Sequence, residues 1–209
     1  MRRLRDPAEA ARLLAGGGVV LLPTDTVPGL HCRADAAPAL ARLQALKGRD
    51  PARPLLLLCA DEAQALGLAA PLAAPAAAYA RRCWPGPFTL VMPRGAAAPA
   101  AVCGAGETIA CRVPAPPELR ALVRAAGGPL VSTSANRSGE APCATLEAAA
   151  ALLGDRVDAV LEGWLPEGAT PAGPSALLDL SDWPPRLLRP GPCPPPPWGE
   201  AGRSDGAPS

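Results

Sequence analysis

The sequence predicts an α/β domain built around a mixed β-sheet. Short apolar runs bounded by Gly or Pro recur along the chain, and stretches with helical spacing alternate with them. Two of the apolar runs pass straight into clusters of hydroxyl and amide side chains. Alternating strands and helices are the pattern of layered α/β folds, and polar clusters beyond strand ends are where such folds gather ligands. At 209 residues the chain has the length of one domain with a substantial core.

Asp6-Pro7 reads as an N-cap with proline at the first helical position, opening a helix that closes at Gly16–Gly18. Val19–Pro23 follows as a buried strand, with Thr24-Asp25-Thr26 directly after it and a turn at Pro28-Gly29. Helical spacing through Leu40, Leu43 and Leu46 marks Ala36–Leu46, which stops at Lys47-Gly48-Arg49. Pro54–Cys59 reads as a second strand, Asp61 opens an alanine-rich helical stretch, and Pro75–Cys83 is a further helix. Trp84-Pro85-Gly86-Pro87 turns the chain into a strand at Phe88–Met92. Thr108–Val113 is the next strand, and Pro117–Ala126 a helix ending at Gly127-Gly128. Leu130–Thr133 is a strand that runs into polar Ser134–Gly139, and Thr145 caps a helix reaching Leu153. Val157–Leu161, Ser175–Leu180 and Arg186–Leu188 complete the strands. The domain is expected over residues 1–191, with 192–209, aperiodic and rich in Pro and Gly, as a disordered tail.

Composition narrows the function. A formal net charge of +1 argues against a generally cationic nucleic-acid or membrane binder. Pro, Gly and Arg interrupt every apolar stretch before it reaches membrane-spanning length, and the N-terminus lacks a signal-peptide core, so a cytoplasmic protein with no membrane partner is expected. The seven cysteines form no C-x-x-C pair, which gives no support to a zinc ribbon or a redox site and reads most of them as small buried hydrophobes. His31 is the only histidine, which excludes sites needing two or three imidazoles; no G-x-S-x-G elbow accompanies it. It reads as a half-buried loop residue, and no metal site is expected. Of the 20 basic residues only Lys47 is a lysine. Composition leaves two readings of it open: chance retention, or a position where a compact ammonium cannot be replaced by a planar guanidinium.

The polar clusters are LLPTDT at 21–26 and LVSTSANRSG at 130–139. Their hydroxyls, amides and backbone N–H groups suit phosphate, carboxylate or amino-acid recognition, although Thr24 and Ser134 also fit plain turn-formers. Lys47, Arg49 and Arg53 bracket a helix-to-strand loop, Arg112 ends a strand, and Arg189 stands before Pro190-Gly191. Neither a Walker A pattern nor a G-x-G-x-x-G after a strand occurs, so a bound nucleotide would need another cradle.

Seven blocks occur in order: PTDTVPGL (23–30), LKGR with RPLLLL (46–58), WPGPFTLVM (84–92), TIACRVP (108–114), STSANRSG (132–139), PSALLDL (174–180) and LLRPG (187–191). Together, over residues 6–191, they resemble the YrdC-like threonylcarbamoyl-AMP synthases of the short, single-domain type. The resemblance implies a twisted mixed sheet flanked by helices around a deep concave cavity. It implies a nucleotidyltransferase that makes L-threonylcarbamoyl adenylate and pyrophosphate from L-threonine, bicarbonate and ATP, with Mg²⁺ accompanying the ATP. The product supplies threonylcarbamoyladenosine modification beside the anticodon of tRNA; the implied partners are tRNA threonylcarbamoyl-transfer proteins, with tRNA itself as a candidate direct partner.

By the same resemblance, Lys47 and Arg49 are the catalytic cations on the nucleotide phosphates. Thr24, Arg112, Ser132 and Ser175 would hold threonine, Arg112 through its carboxylate. Thr108, Ser134, Asn136 and Arg189 would join Lys47 and Arg49 on ATP. The chain departs from the pattern at Pro28, where an aromatic is common, at Leu58, where some members carry histidine, and at Ala176, where threonine is usual. Two other readings stand beside this one: a carbamoyl-adenylate-forming domain of the hydrogenase-maturation type, and a non-catalytic module for double-stranded RNA or tRNA.

Overall fold

Each element begins and ends where local chemistry dictates. Asp6 Oδ1 accepts the Ala8 N–H at 2.8 Å, and Thr145 Oγ1 accepts the Ala148 N–H at 3.1 Å; both satisfy amide donors left free in a first helical turn. The computed structural model describes residues 1–48, 50, 52–136, 139–165 and 173–198. Along these residues the elements are β1 (Arg2–Leu4), α1 (Pro7–Ala15), β2 (Val20–Leu22), β3 (Gly29–Arg33), α2 (Ala37–Lys47), β4 (Leu56–Leu58), α3 (Glu62–Gly67), α4 (Ala74–Cys83), β5 (Phe88–Pro93), α5 (Ala100–Cys103), β6 (Thr108–Arg112), α6 (Pro117–Ala125), β7 (Leu130–Ser134), α7 (Leu146–Leu153), β8 (Ala159–Leu161), β9 (Ala176–Asp179) and β10 (Arg186–Arg189).

The strands form one sheet in the order β1-β8-β2-β3-β7-β4-β6-β5-β9-β10. Parallel pairs (β1–β8, β2–β8, β4–β6, β5–β9) mix with antiparallel ones, as the sequence predicts. Two strands lie outside that reading. β1 is only three residues long and paired along one edge, too short for a periodic signal. β3 carries Gly29, His31 and Arg33 on one face, so no continuous apolar run marks it; pairing with β2 on one side and β7 on the other makes it a strand. His31 is therefore a fully buried strand residue, not a half-buried loop residue.

Alternation along each strand separates two faces. Leu21, Cys32, Leu57, Cys111, Val131 and Leu178 point to the face covered by α2, α4, α5 and α7. Val20, Leu22, Leu58, Leu130 and Leu161 point to the other, where they meet α1 and α6. Those two helices cover only part of their face. The remainder floors a cavity of about 350 Å³.

Part of the expected tail is folded onto the domain. The Tyr79 hydroxyl donates to the Pro196 carbonyl at 2.8 Å, and the Trp198 ring meets Tyr79 edge-on with centroids 6.1 Å apart. An aromatic anchor and a satisfied phenol give residues 192–198 a contact that aperiodicity did not reveal; residues 199–209 lie outside the described residues. Among the described residues, no helix is long and apolar enough to cross a membrane.

Candidate active site

Arg112, the last residue of β6, lies on the cavity wall with its side chain only 1% exposed. Its Nη1 is 3.1 Å from Asp25 Oδ1, and that carboxylate is also buried, at 5%. Asp25 Oδ2 is held in turn by the Ala115 N–H at 3.0 Å. The ion pair offsets the charge but does not satisfy the guanidinium, because Nε and Nη1 have no hydrogen-bond partner. A buried charged donor left without a hydrogen bond costs on the order of 1–3 kcal/mol or more, which makes this end of the cavity receptive to an anion. Burial pulls the Arg112 pKa down and the Asp25 charge opposes that; the group stays a cation.

Lys47, at the end of α2, is also buried, at 4%. Its Nζ donates to the Ser134 carbonyl and to Asn136 Oδ1, each at 2.6 Å. Ser134 Oγ donates to the same Asn136 oxygen at 2.5 Å, and Asn136 Nδ2 donates to the Glu140 carbonyl at 2.6 Å. The knot ties the loop after β7 to the end of α2, and Ser134 presents the knot to the cavity. On the far wall, Ser175 Oγ and Thr89 Oγ1 are 2.7 Å apart, while Arg189 grips the Ser175 carbonyl through Nη2 at 2.8 Å. Arg189 borders the cavity as well.

The structure therefore brings Arg112, Ser132, Ser134, Ser175 and Arg189 to one cavity, with Lys47 and Asn136 directly behind Ser134. Two of the expected residues stand apart. The Thr24 hydroxyl donates to the Val27 carbonyl at 2.8 Å and lies 3.0 Å from Thr26 Oγ1; it shapes the loop, and Thr26 takes the place on the wall. Thr108 begins β6, one pleat repeat beyond Ala110, and is off the wall. Arg49 lies outside the described residues.

The departures from the family pattern are likewise placed. Leu58 packs with Leu130 beneath α1 and α6, and the Ala176 side chain faces the helix-covered side. Neither lines the cavity. Pro28 is buried, and its carbonyl accepts the Ala135 N–H at 3.0 Å.

Asp25, Thr26, Thr89 and His31 belong to the site and were not singled out from sequence as its members. The signal available for the first two was their position inside PTDT; Thr89 alternates with Phe88 and Leu90 and so had to face away from the core. His31 Nε2 is 3.0 Å from Ser132 Oγ. Burial, with a smaller contribution from the Arg112 charge and partial opposition from the backbone of Gly29 and Val20, pushes its pKa down to about 3. The ring is neutral at pH 7.

The sequence model of the Sua5/YciO/YrdC family, which carries the description "Telomere recombination", matches residues 12–191. The chain belongs to the Sua5/YciO/YrdC family. A curated relative in this family, the threonylcarbamoyl-AMP synthase of Halorhodospira halophila, is 44% identical over 75% of this chain and 82% of its own length. Pyrococcus abyssi Sua5, solved in complex with L-threonine, superposes with a TM-score of 0.81 at 32% identity, covering 91% of this chain and 57% of that one. Escherichia coli YciO shares the fold, with a TM-score of 0.78 at 24% identity over 91% of this chain and 93% of that one. The Sua5/YciO/YrdC relatives named as synthases are enzymes whose product name describes a nucleotidyl transfer, and this chain is an enzyme of the nucleotidyltransferase type.

Proposed function

We propose that this chain makes L-threonylcarbamoyl adenylate from L-threonine, bicarbonate and ATP, releasing pyrophosphate. The product would feed threonylcarbamoyladenosine formation beside the anticodon of tRNA, a cytoplasmic step completed by transfer proteins. One observation carries the reading: a wholly buried guanidinium on the wall of a hydroxyl-rich cavity, paired in charge with Asp25 yet with Nε and Nη1 lacking hydrogen bonds. That arrangement fits a carboxylate, and the relative solved with L-threonine supports an amino acid as its owner.

In this reading Arg112 takes the threonine carboxylate in a charge-assisted pair, with Ser132 and Ser175 as neighbouring donors and Thr26 in the place first expected of Thr24. Lys47, held by Ser134 and Asn136, faces the nucleotide phosphates together with Arg189; Arg49 is assigned there by resemblance alone. The threonine nitrogen attacks the bicarbonate carbon and water leaves, giving a carbamate. A carbamate oxygen then attacks the α-phosphorus of ATP, and pyrophosphate departs with the electron pair of the broken P–O bond. The protein's part is to align two anions and neutralise growing charge, which cations and hydroxyls do without a histidine base. Among the described residues no three His, Cys, Asp or Glu side chains converge on a metal site. Mg²⁺ would thus arrive on the phosphates, where it neutralises charge, and no step here depends on a protein cage for it.

An RNA-only role is disfavoured by the arginines themselves. Arg2, Arg3, Arg42, Arg124 and Arg186 pair with Glu9, Glu162, Asp158, Asp61 and Asp179, which leaves less free positive charge for a phosphate backbone. Purified protein is expected to release pyrophosphate from ATP only when L-threonine and bicarbonate are both present. Release that persists unchanged without threonine overturns the proposal.

A further inference from the structure

The only histidine touches the site from behind the wall. His31 and Gly29 are two residues apart on one face of β3, and the imidazole folds over the glycine: a Cβ on Gly29 would lie 2.9 Å from Cε1 and 3.4 Å from Nε2. The missing side chain is what lets the ring lie there, with Nε2 at 3.0 Å from Ser132 Oγ on the neighbouring strand. Nδ1 is buried and has no hydrogen-bond partner. A neutral imidazole carries one N–H and one bare nitrogen. The Gly29 and Val20 carbonyls act on the ring without completing a hydrogen bond to Nδ1. A buried N–H without a partner is rarer than an under-satisfied acceptor, so Nδ1 is read as the bare nitrogen and Nε2 as the protonated one.

That assignment fixes the direction of the bond to Ser132. Nε2–H donates, Ser132 Oγ accepts, and the serine must send its own O–H elsewhere. Ser132 lies on the cavity wall, as does Arg112. We propose that His31 is a positioning residue that makes Ser132 an obligate hydroxyl donor into the cavity, adding a neutral donor to the Arg112 fork for the substrate carboxylate. The proposal rests on the reading of this cavity as an amino-acid site.

A tag-free protein labelled with ¹⁵N in its imidazole gives a single pair of ring-nitrogen resonances, because the chain has one histidine. A neutral ring at pH 7 with its proton on Nε2, shifted by L-threonine, is the expected result. A proton on Nδ1, or a charged ring, overturns the proposal. Calorimetric titration with L-threonine supplies the second arm. His31→Leu and Ser132→Ala should each weaken binding about tenfold, the scale of one hydrogen bond to a charged group. The double variant should bind no worse than either single one. His31→Gln, whose amide N–H can donate from near the Nε2 position, should bind within about threefold of the parent. If His31→Leu fails to fold, the ring proton in the parent and the affinity of His31→Gln decide. Threonine binding that is unaffected in a folded His31→Leu overturns this proposal alone. No threonine binding by the parent, with the Nε2 proton in place, overturns the amino-acid reading instead.

Discussion

A single ammonium occupies the space between the Ser134 carbonyl and Asn136 Oδ1, 2.6 Å from each. A guanidinium spreads its donors over a wide planar fork and cannot enter that gap without separating the loop after β7 from α2. Lys47→Arg is therefore expected to lower kcat/KM for ATP by at least about tenfold, equivalent to about 1.4 kcal/mol of transition-state stabilisation, in the pyrophosphate-release assay. Composition made Lys47 conspicuous as the lone lysine, and the knot gives a physical reason for its retention. Its partners were not legible in the same way, since nothing local in 134–136 announces which carbonyl a distant side chain will reach. Asp25 illustrates the same limit: its role follows from Arg112, 87 positions later, and long-range pairs leave no periodic trace.

His31 adds a pH dependence. Unfolded, the ring takes up a proton near 6.5; folded, only near about 3. Between those values the unfolded chain binds the extra proton, so stability is full above about 6.5 and falls as the pH drops toward 3, by at most about 1.4 kcal/mol per pH unit. Denaturant midpoints measured from pH 7 to 4 should fall less steeply for His31→Gln than for the parent.

At the scale of elements, β3 shows why strands escape a reading that looks for apolar runs. One face of GLHCR is core, with Leu30 and Cys32, while the other carries site residues. The turn signal at Pro28-Gly29 was real, but Gly29 is also the first residue of the strand. Gly29→Ala should be costly: its Cβ would come within 2.9 Å of His31 Cε1 and 3.0 Å of the Thr133 carbonyl. Overpacking of this kind costs about 1–3 kcal/mol, to be read as a lowered denaturant midpoint. Part of the loss should return in the Gly29→Ala/His31→Ala double variant, which removes the first clash and keeps the second. The helices were more legible, because Asp6, Asp61 and Thr145 cap them as their side chains allow.

For the molecule as a whole, strand–helix alternation revealed the fold class, and the resemblance supplied the cavity. Nothing in a local window foretold that α1 and α6 would cover only part of one face, since coverage depends on how far the sheet extends past them. The tail is a second non-local result. Truncation after Gly191 removes the Tyr79–Pro196 hydrogen bond and the Trp198 contact, and should lower stability by about 1–3 kcal/mol, measured by reversible thermal unfolding. The near-neutral net charge has a counterpart at this scale: eight arginines among the described residues pair with acids, whereas Arg112 is buried at the cavity, its charge offset by Asp25 and its Nε and Nη1 without a hydrogen bond.

The pleat of β7 constrains how such a pocket can change over time. Ser132 and Ser134 face the cavity, and Val131, the residue before them, faces the packed side. Loss or gain of one residue within the strand would turn valine toward the ligand and hydroxyls into the core, inverting every position at once. Retuning of this pocket along its strands must therefore proceed by substitution, and tolerable insertions and deletions are confined to the connecting loops.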